Sequence, residues 1–132
     1  MKKVAVYTVY AVGMHHWGGH ELCVGDVYFI KDEPENTKDK NAIAIFADDE
    51  LKYKRAYLSR DDASVVSQLI RENLTCGKIY LKQKGPAEKF KKRCGPKQRC
   101  NIWILCAEES VGKIRELLSK YQDLEERRGS NN

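Results

Sequence analysis

The segment 31–45, a polar loop followed at once by an apolar strand, most restricts how this chain can fold. Pro34 fixes its own φ angle and has no backbone N–H to donate. Asn36 and Asp39 favour turns in which a side chain bonds the backbone. The segment therefore predicts a shaped loop that leads into a strand over 41–47. Most loops of this composition are turns and nothing more, so any further role depends on the rest of the chain.

Short runs of β-branched and aromatic residues recur along the chain between turn-forming residues. They predict strands over 3–12, 22–31, 41–47, 53–58, 78–84 and 100–107, with Gly25 as a bulge in the second. After the fourth strand, Ser59 is expected to cap a helix and Asp62 to complete a capping box. A second helical pattern covers 109–127. This order predicts a mainly β protein with helices (α+β), and periodicity alone leaves the kind of sheet open.

Composition sets the broad class of protein. The chain has 132 residues, of which 42% are apolar and 33% charged, which predicts one domain with a real core and argues against disorder. No apolar run approaches the ~20 residues of a membrane-spanning helix, so no membrane contact is expected. The tyrosine-containing N-terminus favours a first strand over a signal peptide. Five cysteines, an odd number, then indicate reduced thiols and an intracellular protein.

Positive charge is concentrated between residues 78 and 99. The whole chain carries a net charge of +5, and this segment has nine basic residues against one acid, Glu88. One face of the predicted strand alternates basic residues with an aromatic one: Lys78, Tyr80, Lys82 and Lys84. Such a basic patch suits a nucleic acid, although a solvated charge run has the same composition. The following residues, 85–98, are expected to form a basic loop.

A glycine-rich turn with aromatic side chains follows the first predicted strand. Gly13 lets the backbone turn, and an exposed Trp17 would offer a flat face on which a base can stack. His15 and His16 can donate to a phosphate or stack as well. Alternatively, Trp17 belongs to the core and the two histidines are solvated turn residues.

A third candidate lies where the fourth strand meets the first helix. Leu58 is expected in the core, with Tyr57 and Arg60 on either side of it. Arg60 falls in the first helical turn, where free backbone N–H groups also favour an anion. Together these features would bind a phosphate, unless Arg60 is only a solvated surface charge.

These three segments, in this order, resemble the HIRAN domain. The motifs are the turn VGMHHWGG, the loop EPENTKDKNAI and the segment AYLSR that opens a helix, and the resemblance covers roughly residues 3 to 107. It implies a small, partly open OB or SH3-like β-barrel of about six strands, with one interposed helix and a C-terminal helix. A HIRAN-like domain over 1–107 would be followed by an amphipathic helix over 108–128, packed on the domain or on a partner, and a flexible tail over 129–132.

The resemblance also implies roles for the glycine-rich turn. Family members place a basic residue and two aromatic residues there, and these contact the terminal nucleotide of a single strand. Here His15 takes the basic position, and His16 and Trp17 take the aromatic ones. Because histidine is only fractionally charged near neutral pH, this departure predicts weaker and more pH-sensitive phosphate binding.

The loop motif carries the recognition of the strand end in the family. Asn36 and Asp39 match positions that help to hold the 3′-end of single-stranded DNA. A carboxylate accepts a hydrogen bond from a terminal hydroxyl and repels a 3′-phosphate. Lys38 stands where the family often has an aromatic residue, so a stacking surface is exchanged for a cation. Alternatively, Asp39 only caps its own loop.

The resulting hypothesis is a module that binds nucleic acid and recognises single-stranded DNA ends, in particular a 3′-hydroxyl end, in processes such as DNA repair and replication. The expected protein partner is a helicase, an ATPase or a repair protein. The chain is expected to be a monomer or a weak homodimer, and nuclear if eukaryotic. Two alternatives remain: general DNA or RNA binding through a basic surface without end specificity, and a protein-interaction module that uses the C-terminal helix.

Catalysis and metal binding have less support. The sequence has no phosphate-binding glycine loop, nucleophile elbow or catalytic triad, so neither an enzyme nor a cofactor is expected. Asp39, Glu50 and Lys52 resemble a nuclease site only loosely. The chain has no C-x-x-C pair, and the candidate zinc ligands are weak: His16, His20 and Cys23.

Overall fold

The residues that the structure describes form seven strands and two helices. The structure is a computed structural model and describes residues 2–13, 22, 26–76, 79–83, 88–89 and 96–130. The strands are β1 (Lys2–Val12), β2 (Val27–Asp32), β3 (Ile43–Phe46), β4 (Lys54–Leu58), β5 (Ile79–Gln83), β6 (Glu88–Lys89) and β7 (Pro96–Cys106). The helices are α1 (Arg60–Arg71) and α2 (Val111–Ser130), and a 3₁₀ turn at Glu108–Ser110 precedes α2.

Six of the strands close into an antiparallel barrel. Their order is β1-β4-β3-β2-β5-β7, and β1 pairs with both β4 and β7. The predicted OB-like barrel is confirmed, and it is closed where a partly open one is expected from the sequence. Closure through β1 and β7 removes the two sheet edges that an open barrel leaves unpaired. The short strand β6 pairs with β7 beside this ring.

Alternate residues of the strands point into the barrel and form its core, as a pleated strand requires. The largest fully buried strand residues are Ile43, Ile45, Leu81, Ile102 and Ile104. Val66 and Leu69 of α1 join the same cluster. The apolar face of α1 therefore covers the barrel.

The first half of α2 packs on its own domain. Ile114 and Leu118 are buried in the core cluster, and Val111 and Leu117 pack against it. The helix also extends to Ser130, over two residues that the sequence predicts to be a tail. Helix ends often differ from a pattern by one or two residues.

The capping box predicted for α1 is replaced by a different set of hydrogen bonds. Ser59 is the N-cap residue, but its side chain makes no cap bond to the helix. Its hydroxyl donates to Asp62 Oδ2 at 2.6 Å, and the same oxygen accepts the Tyr10 N–H at 2.8 Å. The Ser59 N–H bonds the Tyr10 carbonyl at 2.8 Å, because β4 has just run beside β1. Asp62 therefore ties α1 to β1 instead of closing a box within the helix.

One strand begins earlier than the sequence predicts. β7 starts at Pro96, inside the segment 85–98 that reads as a basic loop. The polar residue Gln98 hides the strand pattern, because it is fully buried at an inward position where an apolar residue is expected. The longer β7 pairs with β1 from Lys97 to Cys106 and so closes the barrel.

The second predicted strand is shorter in the structure. β2 begins at Val27, and Leu22 lies outside any strand. Gly25 lies outside the described residues, so the predicted bulge stays a prediction. The ladder with β5 starts at Val27, and the ladder with β3 starts two residues later, at Phe29.

A hairpin turn joins β3 to β4. Asp48 Oδ1 accepts the N–H groups of Lys52 and Tyr53 at 3.0 and 2.8 Å. Leu51 adopts a positive φ of 61° in this turn. The turn leaves the Tyr53 side chain 67% exposed.

Candidate functional site

The loop between β2 and β3 is held in shape by its own side chains. Asn36 Oδ1 accepts the N–H groups of Lys38 and Asp39 at 2.9 and 3.1 Å. Asn36 Nδ2 donates to Glu33 Oε1 at 3.2 Å. Asp39 Oδ1 accepts the Asn41 N–H at 2.9 Å. The predicted shaped loop is confirmed, and one oxygen of Asp39 serves the loop itself.

The other carboxylate oxygen of Asp39 faces Arg60, the first residue of α1. Arg60 Nε lies 3.8 Å from Asp39 Oδ2, and the two side chains are 82% and 24% exposed, respectively. An ion pair of this length and exposure contributes less than about 1 kcal/mol to stability. Both groups therefore remain available to a ligand.

An open cleft lies between this loop and the junction of β4 with α1. Its volume is about 700 Å³. The residues that line it are Glu35, Asn36, Thr37, Lys38, Asp39, Ala42, Tyr57, Leu58 and Arg60. The structure thus brings together five of the residues selected from the sequence: Asn36, Lys38, Asp39, Tyr57 and Arg60. A carboxylate, a guanidinium and an aromatic ring share one cavity, which can accept a hydroxyl, bind an anion and contact a planar group.

Tyr57 is fixed at this cleft by Glu33 and Lys54. The Tyr57 hydroxyl donates to Glu33 Oε1 at 2.9 Å and accepts from Lys54 Nζ at 2.9 Å. Lys54 Nζ also donates to Glu33 Oε2 at 2.5 Å and lies 5.0 Å from the centre of the Tyr57 ring. Both residues therefore hold the ring at its hydroxyl end.

Glu33 and Lys54 both stay charged near neutral pH. Burial is the largest influence on the pKa of Glu33 and raises it, but hydrogen bonds from Lys54, Asn36 and Tyr57 together outweigh burial. The pKa of Glu33 consequently lies below its ordinary value of 4.5. Burial likewise lowers the pKa of Lys54, but the bonds with Glu33 and Tyr57 hold it above 10.5.

The glycine-rich turn begins beside the cleft. In the barrel register, Val12 at the end of β1 pairs with Tyr57 on one side and Lys97 on the other. Gly13 then turns the chain with a φ of 76°, which a residue with a side chain adopts only at a cost. Residues 15–17 lie outside the described residues, so their contact with a ligand stays a prediction.

The predicted basic strand lies on another part of the barrel. β5 runs between β2 and β7, and Tyr80 is half-buried against Phe29. Tyr80 is not among the described residues that line the cleft. Lys78 and Lys84 lie outside the described residues, and only the backbone of Lys82 is described. The candidate residues therefore divide into a cleft group and a strand group.

Two residues that hold Tyr57 at the cleft were not predicted from the sequence to do so: Glu33, which opens the loop motif, and Lys54. Glu33 and Lys54 reach Tyr57 only because β2, β3 and β4 are neighbours. Gln98, which is likewise not predicted, bonds both backbone groups of Leu22, a residue of the core cluster. Lys54 and Tyr57 are three positions apart on β4, so regular alternation would place them on opposite faces. The register shift of β4 opposite Ile45 and Phe46 allows both side chains to meet.

The other candidate sites gain little from the structure. No group of three or more His, Cys, Asp or Glu side chains able to hold a metal ion occurs in the described part of the chain. The weak zinc candidates lie outside that part: His16, His20 and Cys23. Glu50 and Lys52 form an exposed ion pair of 2.8 Å in the β3–β4 turn, whereas Asp39 faces Arg60. Among the described helices, none is both long and apolar enough to cross a membrane.

Comparison with known proteins identifies the family. A family model described as the HIRAN domain matches residues 4–104. The crystal structure of the HIRAN domain of human HLTF aligns with a TM-score of 0.65 and 17% identity, covering 90% of this chain and 88% of that one. A protein from Lactobacillus plantarum aligns with a TM-score of 0.54 and 18% identity, covering 78% and 97%, respectively. No curated protein matches the sequence. The two structural likenesses establish the fold.

Proposed function

The chain belongs to the HIRAN domain family, whose members are binding domains for nucleic acid, and we propose that it recognises the 3′-hydroxyl end of single-stranded DNA. The observation that carries this proposal is the pair of Asp39 and Arg60. Their side chains lie 3.8 Å apart in one open cleft, with Tyr57 beside them. A hydroxyl acceptor and a phosphate-binding cation therefore stand within the span of one nucleotide end.

Asp39 distinguishes the kinds of strand end. Its Oδ1 is used by the Asn41 N–H, and its Oδ2 points to the Arg60 side of the cleft. An ionised carboxylate only accepts hydrogen bonds, so Oδ2 takes a 3′-hydroxyl as a donor. A 3′-phosphate brings two negative groups together and is repelled.

Arg60 neutralises the phosphate that precedes the terminal nucleotide. Its guanidinium is 82% exposed and stands at the start of α1, where the first backbone N–H groups of the helix also favour an anion. Lys38 lies on the opposite wall of the cleft and is exposed, so it adds a second cation. The Tyr57 ring, held by Glu33 and Lys54, offers a fixed planar contact for the base or sugar.

The glycine-rich turn completes the proposed pocket. Its starting residue, Gly13, follows the residue that pairs with Tyr57. We assign stacking to Trp17 and phosphate contacts to His15 and His16. Since imidazole gains a positive charge as the pH falls, single-strand binding should strengthen between about pH 7.5 and pH 6. A role in DNA repair or replication, beside a helicase, an ATPase or a repair protein, follows from this end recognition and is part of the proposal.

Fluorescence anisotropy with one short single-stranded DNA tests the proposal. The strand is used with a 3′-hydroxyl, with a 3′-phosphate and with only its 5′-end accessible, at two salt concentrations. We expect tighter binding of the 3′-hydroxyl form by about tenfold, the effect of one hydrogen bond to a charged group. Asp39→Asn retains an oxygen for the Asn41 N–H but loses the charge, and should remove this preference.

Asp49→Asn is the matched control, because it makes the same change at an exposed residue of the β3–β4 turn. It should leave the preference unchanged. Equal, salt-sensitive binding of all three strands by the unaltered protein would overturn end recognition. That result would leave general binding through the basic surface, in which affinity depends on salt and not on the terminus.

A further inference from the structure

A row of aromatic side chains crosses three neighbouring strands of the barrel. The register places Phe29 of β2 beside Tyr80 of β5, and Tyr80 beside Trp103 of β7. The rings of Phe29 and Tyr80 meet edge to face, with centroids 5.6 Å apart and planes at 61°. All three side chains are half-buried, so each keeps part of its surface in contact with solvent.

The alternation of the strands sets this row on the outside of the barrel. The residues that flank the three rings along their strands are buried in the core, as Ile30, Leu81 and Ile102 illustrate. Successive residues of a strand point to opposite faces of the sheet. The three rings therefore point away from the core and form an outer aromatic row: Phe29, Tyr80 and Trp103.

The outer aromatic row leads towards the cleft. Phe29 pairs with Phe46 of β3, which is buried. Lys54 Nζ lies 5.9 Å from the Phe46 ring centre and 5.0 Å from that of Tyr57, which lines the cleft. From β7 to β4 the path crosses four inter-strand spacings, or roughly 19 Å. The exposed rings therefore end at Phe29, and Lys54 and the buried Phe46 lie between Phe29 and Tyr57 at the cleft.

Basic residues accompany the outer aromatic row. The strands β2, β5 and β7 together have four basic residues and one acid, Asp32. Lys31 and Arg99 have exposed side chains, and Lys82 follows Tyr80 by two residues on β5. The ligand that fits this surface has flat apolar faces and a negative charge. Single-stranded nucleic acid has both, whereas a duplex hides its base faces within the stack.

Aromatic pairs across strands stabilise a sheet wherever they occur. That role requires neither solvent-exposed ring surface nor surrounding cations, and this surface has both. We propose that the outer aromatic row is a second binding surface, on which bases of interior nucleotides of single-stranded nucleic acid stack after the strand leaves the cleft. The inference rests on the proposed function for the direction of the strand only, since stacking itself needs no free end.

A circular single strand tests the row without the cleft, because it has no end to recognise. The chain has two tryptophans, so Trp17→Phe leaves Trp103 as the only one. In this background we expect a short circular oligothymidylate to quench the Trp103 fluorescence on binding. Tyr80→Leu removes one stacking face and should weaken binding of the circle roughly five- to hundredfold. Tyr80→Phe keeps the ring and should bind as before.

Tyr53→Leu is the matched control, since Tyr53 is a 67% exposed tyrosine of the β3–β4 turn, away from the row. Circular dichroism checks that each variant is folded. If Tyr80→Leu does not fold, the quenching of Trp103 and the unchanged affinity of Tyr80→Phe for the circle test the proposed second binding surface instead. A circle that binds without quenching Trp103, or that does not bind, would overturn the proposal that the outer aromatic row binds nucleic acid.

Asp39→Asn separates this inference from the proposed function. It should not weaken binding of the circle, although it should abolish the preference for a 3′-hydroxyl. If the circle quenches Trp103 but linear DNA shows no end preference, the second binding surface stands and the end recognition is overturned. End preference without quenching would do the reverse.

Discussion

Gln98 and Leu22 are joined by two hydrogen bonds that imitate one rung of an antiparallel ladder. Gln98 Nε2 donates to the Leu22 carbonyl at 2.9 Å, and the Leu22 N–H donates to Gln98 Oε1 at 2.8 Å. The two residues are 0% and 2% exposed. A side-chain amide thus takes the place of a strand backbone at Leu22, which lies in the core of the barrel.

Gln98→Met should destabilise the fold. Methionine has nearly the same length, but it leaves the buried N–H and carbonyl of Leu22 without partners. At about 1–3 kcal/mol for each unpaired group, the free energy of unfolding should fall by roughly 2–5 kcal/mol. Urea denaturation measures this change. Gln68→Met on the exposed face of α1 is the control and should change stability by less than about 0.5 kcal/mol. Equal effects of the two substitutions would contradict the role of the amide.

Asp62→Ala should destabilise the junction of β1 and α1. The carboxylate is 3% exposed and accepts the Tyr10 N–H at 2.8 Å and the Ser59 hydroxyl at 2.6 Å. Its loss leaves a backbone N–H unpaired and should lower the free energy of unfolding by roughly 2–4 kcal/mol. Asp61→Ala removes the same charge from the same helical turn, so the difference between the two variants in thermal denaturation isolates the hydrogen bonds. Similar melting temperatures would disprove this account.

The ion pair of Glu33 and Lys54 should give stability an acid dependence. The folded pKa of Glu33 is below 4.5, so its contribution is complete above that pH and is lost as the pH falls through the folded pKa. The folded pKa of Lys54 is above 10.5, so its contribution is lost only as the pH rises through that higher value. Stability should therefore fall below about pH 4.5 and be flat through neutral pH with respect to this pair.

Glu33→Gln removes the acid-dependent contribution of this residue. The difference in unfolding free energy between the unaltered protein and Glu33→Gln should be largest above about pH 4.5 and should shrink below it. Urea denaturation from about pH 3 to pH 7 measures this difference. Glu35→Gln, an exposed change in the same loop, should show no such shrinkage. A constant difference at all pH values would refute the prediction.

The cysteines should differ in reactivity. Burial raises the pKa of the Cys100 thiol to about 12 and also raises the pKa of Cys106, and both residues are fully buried, whereas Cys76 is half-buried. Since the thiolate is the reactive form, iodoacetamide should modify Cys76 first and the other two only on global unfolding. Mass spectrometry on a variant without Cys23 and Cys94 measures the order. Modification of Cys100 in the folded protein at the Cys76 rate would be the contrary result.

Local patterns predicted the elements whose signals lie within a few residues. The turn chemistry of Asn36 and Asp39 and the alternation of the short strands are examples, because side chains and backbone interact there over short separations. The early start of β7 could not be predicted from local patterns, because it depends on a contact with a distant residue. Gln98 is polar, and its inward position makes sense only when Leu22 is beside it.

The candidate site could be predicted in part. The resemblance selected Asp39, Tyr57 and Arg60, and the structure brings them to one cleft. The alternation of basic and aromatic residues selected Tyr80 as a further candidate, but the register sets Tyr80 between Phe29 and Trp103 on the outer aromatic row. No local pattern separates these groups, because their distance depends on how many strands lie between them.

The sequence by itself determined the shape of the 33–42 loop, the existence of most strands and the helical face that covers the barrel. Each follows from dihedral preferences, local hydrogen bonds or the alternation of apolar residues. Only the tertiary structure decided that Asp39 faces Arg60, that Glu33 and Lys54 hold Tyr57, and that three rings line up across the barrel. The physical reason is that these contacts join residues far apart in the chain, and the strand register of a closed barrel alone fixes which of them meet.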